Sequence, residues 1–147
     1  VILLMIGINA IPWDTPDLEP TTQTAELNVL VRTILKKLAT DNRDAHLIVA
    51  EITPRTTPSR TIEEYNRYIR EELVPDLAAG GAPLSSVAHS RNFRDENGQL
   101  DPARFAQANH PNKRGYARMA ETWWEGLVTA GRVAGSGLEG VQADPDE

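Results

Sequence analysis

Cysteine is absent from all 147 residues. That excludes disulfides, thiolate nucleophiles and cysteine metal sites, but it leaves the compartment open, because secreted proteins can also lack disulfides. An excess of basic charge is lacking too: 15 Lys and Arg stand against 21 Asp and Glu, for a net charge of −6. With no basic stripe along the chain, nucleic acid is excluded as the expected partner. Long hydrophobic runs are also missing. The longest clearly apolar one, Val1–Ile6, falls far short of the roughly 18–20 residues of a membrane span. It carries neither the basic leader nor the small-residue cleavage site of a signal peptide. The chain opens on Val1 rather than Met, which suggests that this N-terminus is a cut edge.

What remains is an ordinary globular composition, 40% hydrophobic and 24% charged. A chain of this length buries about two-thirds of its unfolded surface, enough for one real core. We expect one domain over residues 1–133 and a frayed Gly-rich, acidic tail over 134–147.

The run Val1–Ile6 is apolar at every position, as in a strand buried on both faces of a parallel sheet. A Pro-rich loop follows. Leu27, Leu30, Val31, Ile34, Leu35 and Leu38 then fall on one helical face, with a stop near Asp41-Asn42. His46–Ile52 reads as a second strand. Thr61 and Glu64 have the spacing of a capping box, and Tyr65, Tyr68, Ile69 and Leu73 line the helix behind it, closed by Pro75 and Gly80-Gly81. Leu84–Ala88 is a weaker third strand, and Asn97-Gly98 marks a turn. Tyr116, Met119, Ala120, Trp123, Trp124, Leu127 and Val128 share one face of a last helix. Alternating strands and helices predict an α/β fold with a parallel sheet. In a three-stranded sheet, Val1–Ile6 would be an apolar edge, which folded proteins avoid. We therefore expect one or more N-terminal strands to be missing, with a lost N-terminal segment or a second copy covering that edge.

Ligands bind outside the carboxyl ends of parallel strands. Two segments are placed to meet there: Gly7-Ile8-Asn9 after the first strand, and Asn109-His110-Pro111-Asn112 before the last helix. A histidine fixed between a proline and a helix suits a general base, and an asparagine amide can donate to a developing oxyanion. Alone, each has a plainer explanation: Gly7 and Asn9 as the start of a loop, His110 as a cap or loop residue. His46 reads as the sheet rim, and His89 could reach the same rim. Trp13, Trp123 and Trp124 could stack on a sugar, although the spacing of the last two favours packing. The acidic pairs Glu63-Glu64 and Glu71-Glu72 look like solvated helix faces, with no metal-ligand pattern around them.

Val1-Ile-Leu-Leu-Met-Ile-Gly-Ile-Asn9 resembles the third block of the SGNH (GDSL-type) esterases and lipases, a strand running into Gly-x-Asn-Asp. His110-Pro-Asn-Lys-Arg-Gly-Tyr-Ala-Arg-Met-Ala120 resembles their last block, and Leu47–Pro54 with Tyr65-Asn66 their middle part. The resemblance spans roughly Val1 to Leu127. It implies a flavodoxin-like three-layer α/β/α sandwich, a serine nucleophile from an early Gly-Asp-Ser motif, and no cofactor or metal. His110 would be the base, Asn9 the oxyanion donor, and Gly7 the residue letting the backbone turn beside the pocket. The substrate would be a small-molecule or carbohydrate ester. Three departures stand out. No Gly-Asp-Ser occurs, and none of Ser59, Ser85, Ser86, Ser90 and Ser136 sits in a Gly-rich strand-to-helix turn. The family's acid, three residues before the histidine, is replaced by Gln107, with Asp101 or Asp95 as possible substitutes. Ala10 stands where the third block has Asp. A hydrolase fold that binds a glycan or protein without catalysis is the competing expectation.

Overall fold

A computed structural model describes residues 1–11, 19–41, 43–107 and 110–131. Trp13, Asn42, Asn109, Ser136 and the 134–147 tail lie outside these residues. Strands β1 (Ile2–Leu4), β2 (Leu47–Ala50) and β3 (Leu84–Val87) form a parallel sheet in the order β1-β2-β3. Ile2 lies beside Leu47, and Leu47 beside Leu84. β2, the central strand, is buried at all four positions. Its alternation feeds two cores, as the pleat requires. Leu47 and Val49 join Leu27 and Val31 of helix α1 (Thr21–Thr40) and Ile62, Tyr65 and Ile69 further on. Ile48 and Ala50 point to the other face, where Val87 meets Trp123 and Leu127 of helix α2, Lys113–Thr129. The result is three layers, α/β/α, as expected.

β1 departs from the expected doubly buried strand. It is an edge, and Val1, Leu3, Met5 and Ile6 are exposed. Continuous apolarity fits burial on both faces, but no described strand lies on its outer side.

The helix after β2 also corrects two expectations. It starts on Ser59, whose hydroxyl accepts from Ile62 N, while Thr61 is buried two residues further on, inside the helix. Nor does Pro75 close it. An α segment at Arg60–Tyr68 passes through a π-turn at Ile69–Leu73 into another at Val74–Ala79. Val74 N bonds Ile69 O, the five-residue spacing of a π-turn. Widening the helix just ahead of Pro75 accommodates a ring with no N–H to give and no room for a normal preceding carbonyl.

The buried stripe of α2 is Gly115, Met119, Thr122 and Gly126; Tyr116 and Ala120, expected inside, are exposed. The stripe is rotated because the glycines mark the closest approach. A Cβ on Gly126 would lie 2.5 Å from Val87 Cγ1, so the helix seats its bare backbone on β3 and turns Tyr116 outward.

Candidate active site

The carboxyl end of the sheet carries three groups of residues. The first follows β1. Tyr65 Oη donates to Ile6 O at 3.0 Å, and Gly7 then reverses the chain at φ +123°. A Cβ on Gly7 would sit 2.6 Å from Tyr65 Oη and 2.7 Å from its ring carbon Cζ. Both the dihedral and the close approach therefore demand glycine. A 3-10 turn at Ile8–Ala10, tied by Ala10 N to Gly7 O at 2.9 Å, leaves Asn9 exposed. Gly7, Asn9, Gln23, Leu27 and Tyr65 line a cavity of about 430 Å³. Burial, with a smaller contribution from the Glu26 charge, pushes the Tyr65 hydroxyl up to about 12. It therefore stays a neutral donor at physiological pH.

The second group follows β3. A 3-10 turn at His89–Phe93 leads through an Arg94–Leu100 bridge, inside which Asp95 Oδ1 accepts from Asn97 N and Gln99 N. The chain then enters a short antiparallel pair, β4 (Phe105–Gln107) and β5 (His110–Pro111). Buried Phe93 packs on Phe105 with ring centroids 4.9 Å apart, which holds the pair against the β3 exit. Asn112 caps α2: its Oδ1 accepts from Gly115 N at 3.0 Å, and its Nδ2 donates to Ala103 O at 2.7 Å. A Cβ on Gly115 would come within 2.4 Å of Arg104 O and 2.8 Å of Pro111 Cβ. The His-Pro-Asn and Gly-Tyr parts of the motif thus form one mechanical unit that holds β5. His110 is exposed on β5 with Gln107 opposite it in register. Asp101 instead accepts from Ala103 N and pairs with Arg104 Nε at 2.9 Å.

The third group lies between these two. Glu51, at the exit of β2, is completely buried and bonds Arg70 Nη1; Ser90 Oγ donates to its other oxygen. Asn66 exchanges two 2.9 Å bonds with the backbone of Ile52, pinning the β2 exit to the neighbouring helix. A cavity of about 600 Å³ opens above this network, lined by Arg55, Arg70, Ser90 and Arg94 among others. Arg55 Nη2 donates to Ile11 O at 2.8 Å, two residues past Asn9. On the far side, Arg94 and Leu100 belong to the loop that leads to His110.

Gly7 and Asn9 therefore share one cavity, while His110 stands on the β3 side of the same sheet end. The residues lining the two cavities do not include His110. Its ring makes no hydrogen bond to the side chain of another described residue. His46 lies at the opposite, amino-terminal end, with Nε2 3.0 Å from Ser85 Oγ. His89 is wholly buried, edge-on to Trp123 with centroids 4.9 Å apart, and burial pushes it down to about 4. Glu51, Arg55 and Arg70 belong to no motif in the sequence. A lone carboxylate inside the apolar run His46–Ile52 was the available signal, because charges are rarely buried without partners.

No protein-family model matches the sequence, and no curated protein does. Among solved structures, the chain is similar to the crystal structure of a carbohydrate esterase family 3 from Talaromyces cellulolyticus, with a TM-score of 0.61 and 17% identity. The match covers 90% of this chain and 59% of that one, so this chain spans about three-fifths of its neighbour's length. At that identity the likeness is one of fold. It places the α/β sandwich beside that of an esterase.

Proposed function

We propose that this chain is the histidine-bearing part of a carboxylic-ester hydrolase of the serine esterase type, acting on acylated carbohydrate. One observation carries the reading: the Asn9 turn and the β5 hairpin with His110 both emerge at the carboxyl end of one parallel sheet, where such sheets bind ligands. The fold likeness to a carbohydrate esterase supports it. A serine Oγ attacks the ester carbonyl as His110 takes its proton, and the Asn9 amide donates to the oxyanion. Collapse expels the alcohol, which takes the proton from His110 and leaves an acyl-serine. Water, deprotonated by His110, then releases the acid. No serine of this chain sits in a Gly-rich strand-to-helix turn, so the nucleophile belongs to a further strand that pairs with the exposed β1 edge. This chain by itself is inactive.

The whole reading frame, assayed on p-nitrophenyl acetate beside His110→Ala, tests this. Turnover that disappears in the variant supports the assignment, and equal turnover in both proteins ends it.

A second reading, an inactive fold that binds a glycan or a protein, draws on Gln107. The residue facing His110 is neutral, and a neutral partner does not stabilise an imidazolium. Coding sequence upstream of Val1 decides between the two. A Gly-Asp-Ser-like turn there favours the enzyme, and its absence favours binding.

A further inference from the structure

The 600 Å³ cavity gathers three arginines, set against Glu63 on the same wall and Glu51 and Glu71 bonded to Arg70, in a molecule whose net charge is −6. Three guanidinium groups, from Arg55, Arg70 and Arg94, reach its wall. Their acidic neighbours differ in how firmly they are held. Glu51 is completely buried beneath Arg70 and also binds Ser90, so it fixes the direction of Arg70 and cannot swing out. Its Nη1 bond to Glu51 and Nη2 bond to Glu71 use two of the five N–H donors a guanidinium carries. Glu63 lies 3.7 Å from Arg94, and its side chain is 63% exposed. A pair this long and this wet contributes little, so an incoming anion displaces it at small cost. The first turn of the helix that starts on Ser59 opens on the same space, adding its positive end to the guanidinium charge.

Size and long-range charge narrow the ligand. A simple oxyanion occupies a small part of 600 Å³, a volume suited to a molecule of one or two rings. The hydroxyl of Ser90 and the amide of Gln99 supply neutral contacts of the kind sugar hydroxyls use. The overall charge repels a polyanion strongly and a sugar with one carboxylate far less. The cavity is also well placed. One wall is tied through Arg55 to Ile11, just beyond the Asn9 turn, and the other is the Arg94–Leu100 loop leading to His110.

We propose that this cavity is a subsite for the carboxylate of a uronic acid residue in the acylated carbohydrate, held by Arg94 and Arg70. The proposal rests on the esterase reading for its place beside the chemistry, but binding needs no turnover, so the two fail separately. Amide chemical shifts of the ¹⁵N-labelled protein, titrated with methyl β-D-glucuronoside, methyl β-D-glucoside and inorganic phosphate, provide the test. The expected result is saturable shifts in residues 54–63 and 90–100 with the glucuronoside, and binding at least about tenfold weaker for the glucoside, the loss of one charge-assisted bond. Arg94→Gln lowers glucuronoside affinity by about the same factor. Glu63→Gln, which removes an exposed competitor, raises it, an effect that a purely structural role of Arg94 does not produce. Equal binding of the two glycosides overturns the proposal. So does phosphate binding as tightly as the glucuronoside, which indicates a simple anion site. Absence of shifts with all three probes does the same. Glucuronoside binding by a whole reading frame that has no esterase turnover removes only the reaction assignment, and turnover of that whole protein without glucuronoside binding removes only this one.

Discussion

His89 makes stability depend on acidity in a way that can be isolated. The ring is wholly buried against Trp123, and neither of its nitrogens has a hydrogen-bond partner among the described residues. Burial pushes it from 6.5 down to about 4. In the unfolded chain the same imidazole takes up its proton near pH 6.5. Between those values the unfolded state binds more protons than the folded state, so stability falls as pH falls through 6.5 and levels off below about 4. At pH 7 almost none of this penalty is present. At pH 5, 1.5 units below the unfolded value, the full penalty is ~2 kcal/mol, and relaxation of the site around a charged ring brings it to roughly 1–2 kcal/mol. His89→Phe keeps a ring against Trp123 and removes the proton site. Urea unfolding of both proteins at pH 7 and pH 5 gives four free energies. The natural protein should lose about 1–2 kcal/mol more than the variant on going to pH 5, because the titrating carboxylates are common to both and cancel. Parallel behaviour of the two proteins, whatever their absolute stabilities, refutes the reasoning.

Gly7→Ala forces a side chain into φ +123° and against the Tyr65 hydroxyl 2.6 Å away, and should cost about 2–4 kcal/mol in chemical denaturation. Asn112→Ala removes the cap of α2 and the tie to Ala103; a loss of about 1–2 kcal/mol is expected, with amide exchange rising first in residues 103–115. Tyr65→Phe deletes the bond to Ile6 O and should cost only about 1 kcal/mol by thermal melting, because that carbonyl lies near the surface. Gln107→Asp places a carboxylate opposite His110; in the whole protein it should raise ester turnover by at least about tenfold, and unchanged turnover counts against His110 as the base.

The local code of this chain is strong wherever one-dimensional pattern and burial coincide. The apolar run around Leu47–Ala50 made a central strand, and the three-and-four spacing from Leu27 to Leu38 made a helix ending at Thr40. Gly7 also announced itself, since a positive φ against an aromatic ring admits nothing larger. Other features depended on neighbours far away in sequence. Ser59 and Thr61 are both competent caps and both are buried, but Ser59 holds the extended backbone of a cap while Thr61 lies within the helix. Pro75 stops an α-helix, but a π-turn one step earlier makes room for it. The buried stripe of α2 was set by where β3 lets Gly126 approach, which no helical period encodes. Above all, Glu51, Arg70 and Ser90 carry no shared sequence signal. They meet because the β2 exit, the π-turn and the turn after β3 close around one point. Periodicity specifies which residues turn inward on a single element, but the pairing of charges needs distances between elements, and those exist only once the chain has folded.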